Sequence, residues 1–264
     1  MSRIITLTTD FGTRDAYVAT MKGVMLGINP DATLVDVTHD VHHADVMEAA
    51  FSLRRTVPFF PEGSVHLVVV DPGVGTMRRA VALQHDGHFF VGPDNGLFPL
   101  LLGDHAQFDA VELDRPEFWR SPNPSKTFHG RDIFAPIAAH LSLGEPLTHV
   151  GSRIDDLAPL HWALPIADEQ GIQGWVVHVD HFGNCITNIT REIFESGRDN
   201  RRVKCYVGTA ILDGIHETYG SVAVGEPLLL FESTDHLEIA VSGGNAADLL
   251  GIRKGAPVNV LFLS

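Results

Sequence analysis

The chain has few of the features that mark secreted or membrane proteins. Only two cysteines, Cys185 and Cys205, occur in 264 residues, which is too few for a disulfide framework. No apolar run reaches the roughly 20 residues that a transmembrane helix needs. The first residues lead directly into a strand-like segment and not into a signal peptide. We therefore expect a cytoplasmic protein with no membrane partner and with reduced, buried cysteines.

Basic residues are also scarce. The 33 aspartates and glutamates outnumber the 19 lysines and arginines, and the formal net charge is -14. Binding to a phosphate backbone requires a basic face, and no cluster of lysine or arginine provides one. The composition argues against nucleic acid as a partner.

Signatures of common cofactor and metal sites are missing as well. The segment Gly73 to Gly75 lacks the spacing and the lysine of a P-loop, and no GxGxxG motif opens the first predicted helix. Thr38 to His43 supplies nitrogen and oxygen donors of the kind a metallohydrolase uses, but no HExxH or paired CxxC motif accompanies it. We expect neither a metal nor a cofactor, with a metal site at these histidines as the alternative.

The first part of the chain alternates strand-like and helix-like segments, which is typical of a layered sheet with flanking helices. Strands are predicted at Ile4 to Thr9, Thr33 to Val37, Val65 to Val70, Ala80 to Gln84 and Phe89 to Val91, and helices at Asp15 to Ile28, Asp45 to Thr56 and Arg131 to Leu143. The continuous apolar run Val68 to Val70 suits a strand covered on both faces, as in parallel sheets. We predict an α/β domain with a mainly parallel layered sheet over residues 1–160.

The pattern changes after a segment that contains proline and aspartate, and we take residues 161–170 as a linker. Further strands are predicted at Gly174 to Val179, Arg202 to Leu212, Pro227 to Phe231, Leu237 to Val241 and Val258 to Leu263. Glycine-rich turns separate them, with little helix between. Residues 171–264 are therefore predicted to form an all-β, barrel-like domain.

Carboxylates follow several predicted strands of the first domain, among them Asp10, Asp71 and Asp94. The carboxyl ends of the strands form the edge where open α/β sheets bind ligands. One such residue can be a turn former, as in Asp71-Pro72-Gly73, or a helix cap, as at Asp15. Burying several together without a partner is costly, so we expect them to surround a ligand.

Three further segments carry groups that suit a binding site. His129 precedes a predicted helix and is either an exposed loop residue or a proton carrier in a cleft. Val179 to Ile189 and Ser242 to Ala247 combine aromatic, amide and open backbone groups that suit the recognition of a flat heterocycle. Turns of that composition are usually only turns.

Five motifs occur in one order: Asp10-Phe11-Gly12, Asp71 to Thr76 with Arg78, Pro93 to Leu97, Phe128 to Asp132, and Asp180 to Asn188. Together they resemble the S-adenosyl-L-methionine (SAM) hydroxide adenosyltransferase family, relatives of the fluorinating and chlorinating enzymes that use the same substrate. The resemblance spans essentially the whole chain. It implies hydrolysis of SAM to adenosine and methionine by attack of a water-derived oxygen on ribose C5′. It also implies a homotrimer with the substrate between subunits.

The resemblance also implies roles for individual residues. The catalytic set matches Asp71, Arg78 and His129. Substrate contacts are implied for the remaining matched positions: Asp10 at the ribose hydroxyls; Asp15 and Asp180 near the methionine amine; Phe182, Asn184, Tyr219, Asn245 and Ala246 around adenine, helped by Phe128; Ser233 at the methionine end; and Asn95 without a more specific role.

The chemistry of the substrate agrees with this assignment. A sulfonium departs as a neutral thioether, so neither a metal nor a covalent nucleophile is required. Placing one water in line with the breaking bond and accepting its proton are the remaining tasks. Arg78 would stabilise the developing hydroxide while Asp71 or His129 accepts the proton. Because an arginine beside Asp71 weakens it as a base, we hypothesise that this pair mainly orients and polarises the water.

Two departures from the halide-using relatives favour water over halide. Those relatives carry a non-carboxylate residue at the position of Asp71 and an additional loop where this chain has the short turn His85 to His88. Thr234 and Ala44 stand where they have an arginine and an aromatic residue. A halide-dependent 5′-halo-5′-deoxyadenosine synthase and a non-catalytic adenosine or SAM sensor are the two alternatives.

Overall fold

A computed structural model describes residues 4–102, 107–159 and 164–263. The chain divides into two compact units, Met1–His161 and Trp162–Ser264. Of the predicted linker, residues 161–163 lie outside the described residues, whereas Ile166–Ala167 forms a short strand, β8. Among the described residues, no helix combines the length and the apolar content that crossing a bilayer requires.

The N-terminal unit is built on one sheet with strand order β2-β1-β3-β5-β4-β6-β7. Its strands are β1 Ile4–Thr9, β2 Thr33–Thr38, β3 Val65–Val69, β4 Ala80–His85, β5 His88–Pro93, β6 Asp109–Glu112 and β7 Ser152–Ile154. Its α-helices are α1 Tyr17–Ile28, α2 Val46–Thr56, α3 Pro99–Leu102 and α4 Ala135–Ser142.

This sheet is mixed, and the expectation of a mainly parallel sheet is not confirmed. The pairs β1-β2, β1-β3 and β3-β5 are parallel, but β4-β5, β4-β6 and β6-β7 are antiparallel. Asp86 and Gly87, both with positive φ (45° and 77°), connect β4 to β5. A two-residue turn of this kind joins antiparallel strands, whereas parallel strands need a long crossover.

Strand β3 is covered on both faces, as its apolar sequence predicts. Leu67 and Val69 belong to an apolar cluster that includes residues of α1 and α4, and Val68 and Val70 belong to a second cluster that includes residues of α2. Alternate residues of a strand point to opposite faces, and each buried aliphatic side chain contributes roughly 1.5–3 kcal/mol. The end of β3, where Asp71 follows, is therefore anchored on two sides.

The helices begin close to the predicted positions, with one correction. Asp45 caps α2, because its side chain accepts a hydrogen bond from the Glu48 amide at 3.0 Å. Asp15 does not cap α1: this helix begins at Tyr17, its N-cap residue is Ala16, and no side chain caps it. The predicted helix over Arg131 to Leu143 begins as a π-helical turn, Gly130–Phe134, which continues into α4.

The C-terminal unit is an antiparallel sheet of order β12-β11-β15-β9-β10-β14-β13, with β8 paired to β9. Its remaining strands are β9 Gly171–Val179, β10 Cys185–Thr190, β11 Arg202–Val207, β12 Ala210–Asp213, β13 Pro227–Phe231, β14 His236–Val241 and β15 Pro257–Leu263, and its helices are α5 Arg191–Arg198 and α6 Ala246–Leu250. The His216 amide donates to Leu229 O at 2.8 Å, so the chain beyond β12 reaches β13 at the far edge. The sheet is nearly closed, which confirms the barrel-like prediction.

Details of this unit differ from the sequence prediction. The single strand expected over Arg202 to Leu212 is two strands, because the chain turns at Gly208 with φ 55°. Strand β10 and helices α5 and α6 were not predicted. Cys185 and Cys205 are free and buried, as expected, and burial raises the pKa of each thiol to about 12.

Candidate active site

Asp71 and Arg78 form a buried ion pair at the end of β3. Arg78 Nε lies 2.9 Å from Oδ1 and 3.0 Å from Oδ2 of Asp71, and Nη2 also donates to Oδ2. Only 5% of the Asp71 side chain and 9% of the Arg78 side chain are exposed. The guanidinium lies over the buried ring of Phe134, 5.2 Å from its centroid. A charged pair out of water and held in a fork geometry keeps its orientation.

His129 completes a chain of three side chains. Its Nδ1 is 2.9 Å from Nη2 of Arg78. Because a guanidinium has only donors, Nδ1 accepts this hydrogen bond, which leaves a neutral ring with its proton on Nε2. Burial lowers the pKa of His129, and the charge of Arg78 lowers it further, against the opposing charges of Asp71 and Asp132. Geometry and electrostatics therefore both favour the neutral imidazole.

The π-helical turn that follows His129 holds this ring in place. Asp132 is buried, accepts from the Ser125 amide at 2.9 Å and receives two hydrogen bonds from Arg131. The bond from Arg131, against the opposing effect of burial, lowers the pKa of Asp132. A side chain at Gly130 would meet Met21 Sδ at 3.2 Å. π-helical turns are rare and often lie at functional sites.

A cavity of about 320 Å³ lies beside this group within the N-terminal unit. Its lining consists of Asp10, Phe11, Tyr17, His43, Ala44, Val69, Asp71, Pro72, Val74, Thr127, Phe128, His129 and Gly130. The lining is mostly apolar, with two carboxylates and the imidazoles of His43 and His129, and a few polar groups in an apolar cavity are typical of a small-molecule site. The structure thus brings Asp10, Asp71, Phe128 and His129, all predicted site residues, to one cavity.

Asp10 is held at the cavity by the segment that follows β2. Its Oδ2 accepts from the Ala44 amide at 2.9 Å, and His43 Nδ1 lies 3.5 Å away. Only 8% of the Asp10 side chain is exposed, and Oδ1 has no hydrogen-bond donor among the described residues. This oxygen is available to accept hydrogen bonds from hydroxyl groups of a ligand.

The C-terminal unit arranges its predicted residues around a tight turn between β9 and β10. Asp180 Oδ1 accepts from the amides of Phe182 and Asn184 at 2.9 and 2.8 Å, and Asn184 Nδ2 donates to Oδ2 at 3.0 Å. Asp180 is therefore first of all the acceptor that forms this turn. The turn leaves Phe182 73% exposed.

Asn245 and Ala246 pack against the same turn. Gly183 has φ 85°, and a Cβ at this position would lie 2.1 Å from Asn245 Cγ. Asn245 also caps α6 by accepting from the Asp248 amide at 2.9 Å, and Ala246 is fully buried. The approach of the two segments therefore depends on glycine at position 183.

Tyr219 and Ser233 contact buried glutamates of the same unit. The Tyr219 hydroxyl donates to Glu238 Oε1 at 2.8 Å, and the Ser233 hydroxyl lies 3.4 Å from Glu232 Oε2. Burial and the hydrogen bond to Glu238 raise the pKa of Tyr219, with smaller contributions from the negative charges of Glu238, Asp180 and Glu232. The phenol stays protonated, and its hydroxyl donates to Glu238.

Comparison with known proteins identifies the family. The sequence model of the SAM hydroxide adenosyltransferase N-terminal domain matches residues 5–151, and that of the C-terminal domain matches residues 174–259. The chain belongs to the SAM hydroxide adenosyltransferase family. The resemblance inferred from the ordered motifs is thereby confirmed.

Relatives of this family member carry two kinds of name. The chain is 40% identical over 262 residues to the (R)-S-adenosyl-L-methionine hydrolase of Salinispora tropica, with 97% of each chain covered. Fluorinase from an Actinoplanes species is more distant, at 28% identity with 97% of each chain covered. Among solved structures, an uncharacterized conserved protein from Thermotoga maritima matches with a TM-score of 0.91 at 37% identity, covering 97% of this chain and 99% of that one.

Three predicted site residues in the N-terminal unit of this adenosyltransferase family member do not line the cavity: Asp15, Arg78 and Asn95. Arg78 is connected to the cavity through Asp71 and His129, which do line it. Asp15 is exposed in the turn before α1. Asn95 donates from Nδ2 to the carbonyl of Val70 at 3.0 Å, and its Oδ1 is buried without a hydrogen-bond partner among the described residues. The structure thus connects Asn95 to the backbone next to Asp71.

Phe11 and Tyr17 line the cavity although sequence reasoning did not assign them to the site. Their rings pack with that of Phe128, with centroids 5.9 Å (Phe11) and 5.2 Å (Tyr17) from it. Phe11 is next to Asp10 in the first motif, so its place beside a predicted ligand-binding carboxylate could have indicated that it belongs to the site. Tyr17 opens a helix, and its sequence context gave no such signal.

The histidines proposed as an alternative metal site have separate partners in this family member. His39 is buried and contacts Thr9 Oγ1 at 2.8 Å and Asp36 Oδ1 at 3.0 Å. His42 pairs with Glu48 at 2.8 Å. Within residues 4–102, 107–159 and 164–263, no group of three or more His, Cys, Asp or Glu side chains is arranged to hold a metal ion.

Proposed function

We propose that the protein hydrolyses SAM to adenosine and L-methionine. The observation that carries the proposal is the chain Asp71, Arg78 and His129 at a mostly apolar cavity. The names of relatives at 40% identity over nearly their whole length support the same reaction. The carboxylate at position 71 favours water over halide, because a fixed negative charge disfavours an approaching anion.

The reaction needs one positioned water molecule. The water oxygen attacks ribose C5′ in line with the C5′ to sulfur bond, and the bonding pair leaves with sulfur to give neutral methionine. The attacking oxygen becomes the 5′-hydroxyl of adenosine, and one proton of the water is released through a base to solvent. Orientation supplies much of the rate increase, and neither a metal nor a cofactor takes part.

Asp71 is the proton acceptor in this proposal. In the neutral His129 ring, Nδ1 accepts from Arg78 and Nε2 already carries a proton, so His129 is a donor toward the cavity. Arg78 donates two hydrogen bonds to Oδ2 of Asp71 but only one to Oδ1. Oδ1 can therefore accept a further hydrogen bond from the water molecule. Arg78 then stabilises charge that develops on the attacking oxygen.

Substrate contacts are assigned to both units. Asp10 binds the ribose hydroxyls, supported by its free Oδ1, and Phe128 contributes an aromatic face to the nucleoside. The turn that contains Phe182 and Asn184 recognises adenine, and Tyr219, Asn245, Ala246 and Ser233 support that role from the same unit. We propose a homotrimer with sites at subunit interfaces, which accounts for the exposure of Phe182.

The test is incubation of the purified protein with SAM in halide-free buffer that contains a chelator and oxygen-18 water. Chromatography and mass spectrometry should detect methionine and adenosine with the heavy isotope at the 5′ oxygen. A 5′-halo-5′-deoxyadenosine that forms only when chloride or fluoride is added would identify a halide-dependent synthase. Tight SAM binding with no adenosine over hours would identify a sensor.

Light scattering of the same sample measures the oligomeric state.

A further inference from the structure

Both ends of the segment from Asp71 to Arg78 are tied to the turn that follows β5. At the first end, Asn95 Nδ2 donates to the carbonyl of Val70 at 3.0 Å. At the second end, the amide of Asp94 donates to the carbonyl of Arg79 at 3.0 Å. Asp94 and Asn95 are adjacent in sequence, so one short turn holds the residues on either side of the catalytic pair.

The side chains of Arg79 and Asp94 reinforce the second tie. Arg79 Nε donates to Asp94 Oδ2 at 2.8 Å, and Nη2 lies 2.7 Å from the same oxygen. The Asp94 side chain is 3% exposed, and its Oδ1 accepts from the Ala158 amide at 2.7 Å. Both oxygens of this carboxylate therefore accept from groups that are fixed in the structure, which makes a rigid anchor.

Arg79 also contacts Asp156, but that contact is of a different kind. Nη1 lies 3.0 Å from Asp156 Oδ1, and the Asp156 side chain is 81% exposed. Nη2 also donates to the backbone carbonyl of Asp156 at 3.1 Å. Solvent-exposed ion pairs contribute little to stability because water screens them. Replacing Asp156 by alanine therefore removes only the exposed ion pair and leaves the Asp156 carbonyl and the buried contact with Asp94 in place.

The carbonyl of Arg79 connects this anchor to the catalytic pair. Arg78 Nη1 lies 3.4 Å from that oxygen, while Nε and Nη2 of the same guanidinium contact Asp71 and His129. The two adjacent arginine side chains have different partners: Arg78 binds Asp71 and His129, which line the cavity, whereas Arg79 binds Asp94. A shift of the Arg79 carbonyl would therefore rotate the guanidinium that Asp71 and His129 share.

We propose that Arg79 and Asp94 are positioning residues for the hydrolysis, acting through the Arg79 carbonyl to set the orientation of the Arg78 guanidinium. The inference rests on the proposed function, since it concerns the same reaction. Neither residue contacts the substrate in this proposal. Their loss should therefore lower kcat and leave KM near the wild-type value.

The kinetic test uses four variants. Arg79→Ala should lower kcat about 10- to 100-fold, the cost of misplacing a reacting group by about 1 Å, and Arg79→Lys should restore part of it because an ammonium still pairs with Asp94. Asp94→Asn keeps the backbone N–H that donates to Arg79 and the shape of the side chain, so its loss of kcat should be intermediate. Asp156→Ala is the matched control and should leave kcat unchanged. Equal losses in Asp156→Ala and Arg79→Ala, a rise in KM alone, or wild-type kcat in Arg79→Ala would overturn the proposal.

A second measurement does not depend on turnover. Nitrogen-15 NMR of arginine side chains reports the Arg78 Nε–H group, identified by the signal that disappears in Arg78→Lys. This signal should shift in Asp94→Asn and Arg79→Lys but not in Asp156→Ala, at temperatures where each variant is folded. An unchanged signal in the first two variants would overturn the positioning role. If the wild type forms no adenosine, the proposed function fails, yet this signal still decides whether Asp94 and Arg79 orient Arg78.

Discussion

The two units hold their ionisable groups in different ways. In the N-terminal unit, burial lowers the pKa of His66, His88, His129 and His140, so these rings stay neutral inside the protein. In the C-terminal unit, Asp180 accepts hydrogen bonds within a turn and Glu238 accepts one from a protonated phenol. The first unit therefore holds histidine rings in the neutral form by burial, whereas the second uses polar groups to shape turns.

We expect a corresponding difference in function between the units. Proton transfer and charge stabilisation need groups with fixed ionisation in a dry site, which the end of β3 provides. In the proposed function, adenine is recognised by the segment between β9 and β10, which has an exposed aromatic ring on a well-formed turn. Changes in the first unit should mainly affect turnover, and changes in the second should mainly affect binding.

The largest expected effect is that of Arg78→Ala. Removing a preorganised donor at developing charge should lower kcat by about 1,000-fold, while the dissociation constant for SAM stays close to that of the wild type. Adenosine formation and calorimetric binding measure the two quantities. Arg153→Ala, at an arginine that is 71% exposed, is the control. Near-normal turnover in Arg78→Ala would contradict the role of Arg78 in stabilising the attacking oxygen.

Acidification should destabilise the protein through His66. This ring is fully buried, contacts Thr6 Oγ1 at 2.8 Å, and its pKa falls to about 3, mainly through burial. A histidine in the unfolded chain has a pKa near 6.5. Between pH 6.5 and about pH 3, His66 therefore binds a proton only in the unfolded state. As the pH falls through this range, the free energy of unfolding decreases by up to about 1.4 kcal/mol per pH unit.

Urea unfolding at a series of pH values measures this slope. By pH 4.5 the loss attributable to His66 should reach roughly 3 kcal/mol. His66→Gln should be less stable at pH 7 but should have a flatter pH dependence. His149→Gln, at a surface ring that is 61% exposed, should keep the wild-type slope. Equal slopes in wild type and His66→Gln would contradict the assignment.

Gly183→Ala tests the turn of the C-terminal unit. A left-handed backbone and a clash with Asn245 should together lower the free energy of unfolding by about 2 kcal/mol, and KM for SAM should rise more than kcat falls. Gly214→Ala is a matched control, because Gly214 has φ 75° but no heavy atom within 4 Å of an added Cβ. A kcat loss without a KM change in Gly183→Ala would contradict the expected difference in function between the units.

The smallest expected effect is that of Tyr219→Phe. Removing the hydroxyl that donates to buried Glu238 should cost about 1 kcal/mol of stability and weaken SAM binding modestly, with kcat unchanged. Thermal unfolding and steady-state kinetics measure both. Tyr206→Phe, on β11 of the same unit, serves as the control. A larger effect on kcat than on KM would show that the C-terminal unit also takes part in the chemistry.

Much of the fold followed from local patterns in the sequence. The apolar run before Asp71 predicted a strand buried on both faces, and alternate packing of Leu67 and Val68 confirms it. The short turn at Asp86 and Gly87 was visible in the sequence and already implied an antiparallel pair, but the prediction of a mainly parallel sheet did not use it. Strand β10 was not predicted, because threonine and asparagine interrupt its apolar pattern although all but its last residue are buried.

The site was predictable only in part. The ordered motifs indicated Asp10, Asp71 and His129 as site residues, and these three line one cavity. Asn95 was assigned to the substrate from its motif, but its side chain binds the Val70 carbonyl, 25 residues away in sequence. Substrate contacts for the remaining predicted residues stay predictions that the proposed experiments address.

By itself the sequence determined the family, the order of an α/β part and a β part, and the residue types available for chemistry, because hydrophobic period and turn composition act over a few neighbouring positions. Only the tertiary structure decided which groups meet. Arg78 joins Asp71 to His129, 51 residues beyond it, and Arg79 points to Asp94 because β4 and β5 pair in one register. Such partnerships depend on the pairing of distant strands and on burial, and local sequence encodes neither.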